Sequence, residues 1–407
     1  MSSLQVNATP CSASSTLEER PKSITTDAWV LYAGESARAE GAQLTRQPFT
    51  FSELTAGEVL VEPIYGCWEA NMSHALRRQP VDICRQRKEE PLIIGNSGVV
   101  RVLRPGPEVT AVRPGDLCLL DANVTKDRHG YTLKVLGYDA PGTMGLLAKQ
   151  TKVPEQCLLP LPKDSAFSAK EWAAFSVRYL TAWDNWQVAW ACWRAQMPDV
   201  APQDVFVWGW GGGVSLAQLA LARHAGCQTA MICSSEPRSE LIQRMGILPI
   251  ARSQFADLSF DEKRYKDDPD YRSRYLAAER IFLQTVQQHT RGEGVSIFID
   301  NIGAPVFRAT LKALGRQGVV TTSGWKHGMQ LSVLRGIECI NRHIHVHTHG
   351  SRDKEARRAM KEAEVMNWRP PVADERVYDW QDLPQLALDY EEGRIESYFP
   401  IFEVNPL

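Results

Sequence analysis

The chain has 407 residues, 43% of them hydrophobic and 23% charged, enough apolar material for two ordinary cores without disulfides or metal. Its 46 basic and 48 acidic residues leave a net charge of −2, which excludes a general electrostatic attraction to nucleic acid or to an anionic membrane. No apolar run approaches the roughly 20 residues that span a bilayer, no signal-peptide core stands at the N-terminus, and the nine cysteines are scattered without a C-x-x-C pair, so a reduced, cytoplasmic protein is expected.

Residues 1–26 are polar, rich in Ser and Thr, and read as a disordered tail. From 27 to 165, short alternating stretches such as TAGEVLVEPIYG and GNSGVVRVLRPGPEVTAVRPGDLCLLDA, punctuated by Gly and Pro, predict a small barrel-like β domain. AKEWAAFSVRYLTAWDNWQVAW then predicts a helix whose aromatic and aliphatic residues serve the core. The stretch 204–238 reads as strand, glycine-rich turn, helix and second strand, the opening of a dinucleotide-binding unit. Gly209, Gly211, Gly212 and Gly213 let the backbone turn tightly toward a pyrophosphate, and Val214 opens the helix whose positive end faces it. The G-x-G-x-x-G pattern is incomplete, because Ser215 stands where a last glycine would let helix and strand pack closely. Alternation of βα units continues through VSIFIDNIG and GVVTTSGW to about 364, with a charged helical insertion over about 255–294, and 365–407 returns to a helix and a strand.

Cofactor choice rests on the end of the second strand, where NAD wants an acidic side chain and NADP wants hydroxyls and a cation. Ser234 and Ser235 followed by Arg238 fit a 2′-phosphate and favour NADPH; Glu236, at a similar distance, is the competing candidate for a ribose hydroxyl. Farther on, His343, His345, His347 and His349 alternate along one stretch, which reads either as paired metal ligands on one strand face or as a half-polar strand at the rim of a cleft. The sequence supplies neither a further ligand nor a second shell, and no metal is expected.

These pieces resemble the medium-chain dehydrogenase/reductase superfamily. GNSGVVRVLRPGPEVTAVRPGDLCLL is similar to its G-H-E-x-x-G-x-V and V-x-x-x-K-P-G-D segments, and LTAWDNW to its L-T-A helix. The resemblance implies an α/β protein with a GroES-like β-barrel domain over 27–165, a Rossmann doubly wound parallel-sheet domain over 166–364, and a return of 365–407 to the first domain. It also implies a homodimer or homotetramer. The family's catalytic zinc needs a Cys and a His, and here Trp68 and Asn96 stand at those places, so a zinc-independent reductase of a C=C bond is expected.

Within the superfamily, the charged helical segment, the turn beginning Val207-Trp208-Gly209 and the motif Leu136-Gly137-Tyr138-Asp139 resemble the crotonyl-CoA carboxylase/reductase branch. That resemblance implies NADPH-dependent reduction of an enoyl thioester on CoA or a carrier protein, with the enolate taken by a proton or by carbon dioxide. It carries catalytic roles onto Asn71, Tyr138, Asp139 and His347, the last with His345 and His349 as rivals, and cofactor contacts onto Thr181, Asn301, Ser323 and Gly324. Asp139 is one methylene shorter than the family's Glu, and Asp300-Asn301-Ile302-Gly303 replaces its E-H-P-G, which puts carboxylation in doubt. A zinc-independent quinone or enone reductase, and a catalytically silent NADPH-binding protein, are the alternatives.

Overall fold

The computed structural model describes residues 23–34, 41–324, 342, 344–348 and 353–407. In chain order the first half forms β1 (Ser23–Val30), β2 (Thr45–Ser52), β3 (Glu58–Cys67), α1 (Ala70–Arg77), α2 (Ile83–Arg87), β4 (Gly98–Pro105), β5 (Leu117–Leu120), β6 (Asn123–Lys126), β7 (Thr132–Val135), β8 (Thr151–Pro154), β9 (Leu158–Pro160) and α3 (Ala169–Gln196). The second half forms β10 (Phe206–Trp210), α4 (Gly213–His224), β11 (Gln228–Cys233), α5 (Glu236–Arg244), β12 (Leu248–Ala251), α6 (Glu262–Asp267), α7 (Pro269–His289), β13 (Val295–Asp300), α8 (Ala304–Ala313), β14 (Leu314–Thr322), β15 (His345–Thr348), α9 (Asp353–Met366), β16 (Val377–Tyr378), α10 (Leu383–Glu391) and β17 (Ile401–Glu403). No helix among the described residues is long and apolar enough to cross a membrane.

Two sheets divide the molecule. The first runs β16-β17-β3-β4-β5-β9, with β8 added on β3, and the hairpins β1–β2 and β6–β7 stand beside it. Strand β1 starts at Ser23, inside the stretch read as a tail, because Ser23 to Val30 pair residue for residue with β2. The second sheet runs β12-β11-β10-β13-β14-β15, parallel throughout. Numbered within this half, the order is 3-2-1-4-5-6, the doubly wound arrangement whose ligands bind beyond the carboxyl ends of the strands at the reversal, here between β10 and β13.

The segment 255–294, read as an insertion, is largely the crossover from β12 to β13. Tyr275, Ala278, Phe282 and Val286 of α7 are buried in the same cluster as Trp208, Trp210 and Phe298, so the helix covers the sheet; most of its charged residues face solvent, and the buried Glu279 is paired with Arg308 and Lys312.

One helix ties the halves together. Ser168 opens α3 with a capping box, its hydroxyl accepting from the Glu171 amide while the Glu171 carboxylate accepts from the Ser168 amide at 2.8 Å. The helix then touches β3, β4 and β5 on one side and α4, β13 and β14 on the other. Being covered on both sides, it is buried nearly all round, with Trp172, Phe175, Tyr179, Trp183 and Trp186 in the interior beside the polar Arg178, Thr181, Asp184 and Asn185.

The C-terminus closes the first sheet, with β17 antiparallel to β3 and Phe402 opposite Gly66. A Cβ on Gly66 would stand 2.2 Å from Cζ of the buried Phe402 ring. Gly66→Ala is therefore expected to cost about 1–3 kcal/mol of stability through overpacking, read from urea unfolding. Adding Phe402→Leu should recover part of the loss; an unchanged midpoint for the single variant would remove the close contact from the account.

Candidate functional site

The glycine turn lies where the parallel sheet reverses. Gly211 adopts φ +137°, and a Cβ there would meet Ser215 Oγ at 2.5 Å and Asn301 Cβ at 3.0 Å, so only glycine serves. Gly212 faces open space where its Cβ would be, and α4 starts without a side-chain cap or an acidic residue in its first turn. Its leading N–H groups and the dipole behind them suit an anion, and these residues fit a dinucleotide pyrophosphate.

Ser215, the departure from the glycine pattern, has a use. It is fully buried, its hydroxyl donates to the Trp210 carbonyl at 3.1 Å, and it accepts from Asn301 Nδ2 at 2.8 Å. Asn301 Oδ1 in turn accepts from the Ser323 amide at 2.8 Å and the Ser323 hydroxyl at 3.0 Å. The ends of β10, β13 and β14 are thus pinned by one network, and Thr322 Oγ1 holds the next turn through the Gly324 carbonyl at 2.9 Å. Asp300 supports it from below: burial pushes its carboxyl up from the ordinary range, while the Gly303 amide, the Thr310 hydroxyl and the Ile302 amide pull the other way. Thr181 is buried in the middle of α3.

At the end of β11, Ser235 precedes α5 and Arg238 reaches back, its Nη1 lying 3.4 Å from Ser234 Oγ. Glu236 is exposed on the first turn of α5. The C-terminal segment also meets this corner, a contact that no local motif announces. Arg238 Nε and Nη2 donate to the carbonyls of Glu396 and Ile395 at 2.9 and 3.0 Å, its guanidinium stacks 5.0 Å from the Tyr398 ring, and Ser235 Oγ donates to Glu396 Oε2 at 3.3 Å. The same segment continues to the glycine turn, where a Cβ on Gly213 would meet Phe399 Cε1 and the Tyr398 carbonyl, both at 2.8 Å.

A second feature missed by motif reading is Arg178, a cation in the apolar middle of α3. Its Nε lies 2.9 Å from Glu69 Oε2, its Nη2 donates to the Trp68 carbonyl at 2.5 Å, and its Nη1 donates to the Tyr398 carbonyl. Both members of the ion pair are buried, with side chains 6% and 8% exposed. Three segments far apart in sequence meet on this guanidinium. A cation placed between Phe175 and Tyr179 was the available signal, since a buried Arg needs a partner.

On the barrel side, Trp68 is fully buried in the core of the first domain, its indole N–H donating to Ser73 Oγ at 3.0 Å. Burial pushes the neighbouring Cys67 thiol up to about 12. Glu69 Oε1, Asn71 Oδ1, Asn96 Oδ1 and Ser97 Oγ are buried without a hydrogen-bond partner in the structure. Tyr138 packs half-buried against the barrel core, which raises its phenol. Asp139 is held in its own turn: Oδ1 accepts from the Val135 amide at 2.8 Å and Oδ2 faces Lys134 Nζ at 3.4 Å. On β15, His347 stands opposite Thr321 in the ladder, and His345 pairs with Gln317 at 3.0 Å. His343 and His349 lie outside the described residues. Among the described residues no three His, Cys, Asp or Glu side chains gather as a metal site.

Known proteins share this fold and part of the sequence. The crotonyl-CoA reductase of Streptomyces avermitilis is 25% identical over 328 residues, 77% of this chain and 68% of that protein. The crotonyl-CoA reductase of Streptomyces collinus is 26% identical over 248 residues, 58% of this chain, and the aligned part spans only 52% of that protein. The solved crotonyl-CoA carboxylase/reductase AntE, in complex with NADP, superposes with a TM-score of 0.74 at 20% identity, covering 94% of this chain and 95% of its own. The chain has the medium-chain dehydrogenase/reductase fold and is crotonyl-CoA reductase-like in sequence. No family model matches it. Of the residues singled out from sequence, Asn301 and Ser323 join Ser215 in one hydrogen-bonded cluster and Ser234 lies beside Arg238 in another, both at the ends of parallel strands.

Proposed function

We propose that the chain is an NADPH-dependent reductase of an α,β-unsaturated acyl thioester. The observation that carries this reading is the uncapped glycine turn beside a hydroxyl-and-arginine corner at the end of β11, in a chain similar to proteins named crotonyl-CoA reductase. NADPH, held by Gly211, Gly212, Gly213, Val214, Ser234, Ser235 and Arg238, supplies the hydride when bound. Thr181, Asn301, Ser323 and Gly324 line its reactive end in this reading. The Asn301 network fixes the three loops so that the substrate's β-carbon is presented in one orientation, and α3, anchored on both sheets, holds the opposing barrel wall. Charge develops on the thioester oxygen and calls for hydrogen-bond donors, and in this assignment the side-chain N–H groups of Asn71 on the barrel wall supply one.

Protonation rather than carboxylation of the enolate is the outcome favoured here, because Asp139 is one methylene shorter than a Glu and its carboxylate is already drawn to the Val135 amide and Lys134 of its own turn. Purified protein is expected to oxidise NADPH in the presence of crotonyl-CoA or a longer enoyl-CoA. With isotopically labelled bicarbonate, mass spectrometry is expected to find the reduced acyl product without label. Turnover of small enones or quinones with none of any enoyl thioester would overturn the substrate class, and label in the acyl product would overturn the fate of the enolate.

A further inference from the structure

We infer that Glu396, delivered by the C-terminal segment, sets the balance between a 2′-hydroxyl and a 2′-phosphate on the bound nucleotide. The inference rests on the cofactor reading above and adds a residue that neither the glycine turn nor the end of β11 contains.

The corner that recognises the 2′ position is built from Ser234, Ser235 and Arg238. Two of its parts are already committed to the C-terminal segment. Ser235 Oγ donates to the Glu396 carboxylate at 3.3 Å, so the hydroxyl that would serve a phosphate points at a negative charge. Arg238 spends Nε on the Glu396 carbonyl and Nη2 on the Ile395 carbonyl, leaving Nη1, 3.4 Å from Ser234 Oγ, as the edge turned to the corner. Arg238's bonds to the carbonyls of Ile395 and Glu396, and the Tyr398 ring 5.0 Å from its guanidinium, hold the backbone of this segment beside Ser235.

A carboxylate at this point accepts hydrogen bonds from a ribose hydroxyl and repels a phosphate dianion. Arg238 alone favours the phosphate; Glu396 subtracts from that preference. The two charges face the same small volume with opposite effects, and Glu396 is exposed, so its influence is moderate and screened by salt.

The test is titration of the intact protein with NADPH and with NADH, separately, by nucleotide fluorescence, for wild type, Glu396→Gln and Glu396→Asp. Glu396→Gln is expected to tighten NADPH about three- to tenfold and to leave NADH unchanged or weaker, with the gain shrinking as salt rises from about 0.05 to 0.5 M. Glu396→Asp, which keeps the charge, should retain the wild-type ratio. An unchanged NADPH-to-NADH ratio in Glu396→Gln, or an equal gain for both nucleotides at every salt concentration, would overturn the inference while leaving the cofactor reading intact. Failure of wild type to bind either nucleotide would overturn both.

Discussion

Arg178→Ala is expected to lower the unfolding free energy by about 3–5 kcal/mol, the scale for breaking one side of a buried ion pair. The loss is larger than the 2.9 Å contact to Glu69 would suggest in isolation, because the guanidinium also satisfies the carbonyls of Trp68 and Tyr398 and stacks against Phe399 at 5.6 Å. Removing it strands a carboxylate and two carbonyls in the interior. The double variant Glu69→Gln with Arg178→Met, which removes both charges and keeps the volume, should unfold at a higher urea concentration than Arg178→Ala. A loss below about 1 kcal/mol for the single variant would show that the three segments do not depend on this residue for their junction.

Arg238→Ala is expected to weaken NADPH by about 1.5–3 kcal/mol, roughly ten- to a hundredfold, and to leave NADH nearly unaffected. The charge at the end of β11 discriminates between the nucleotides, whereas its bonds to the carbonyls of Ile395 and Glu396 are contacts within the protein. Calorimetric titration of the two nucleotides separates these roles. Equal losses would mean that Arg238 acts only by holding the C-terminal segment, and the 2′-phosphate assignment would fall.

Much of the fold was legible because its demands are local. The turn at Gly211 needs a residue at φ +137° with no Cβ, and glycine answers that requirement wherever it occurs. The buried strand β10 and the largely apolar, almost wholly buried α4 announce themselves by pattern, and with them the doubly wound sheet. The charged run at 255–294 was legible as helix but not as core: surface residues dominate the text of α7, while Tyr275, Ala278, Phe282 and Val286, which bury it on the sheet, are thinly spaced along a helix of 21 residues.

Side-chain roles at the site were harder to read. Ser215 breaks the glycine pattern yet is the donor and acceptor that couples β10 to Asn301, a fact decided by a partner 86 residues away. Asp139 sits at its motif position, but the Val135 amide four residues earlier and the adjacent Lys134 take its carboxylate. Glu396 lies 161 residues from the serine it meets, and Arg178 lies 220 residues from the Tyr398 carbonyl it bonds. By itself the sequence determined the strand-turn-helix unit, the α/β class and the hydroxyl-and-arginine corner, since each depends on residues within a turn or two of one another. Which of those groups stay free, and which are bound by the returning C-terminus, was decided only by tertiary structure, because hydrogen bonds between distant segments exist only after the chain has brought them together.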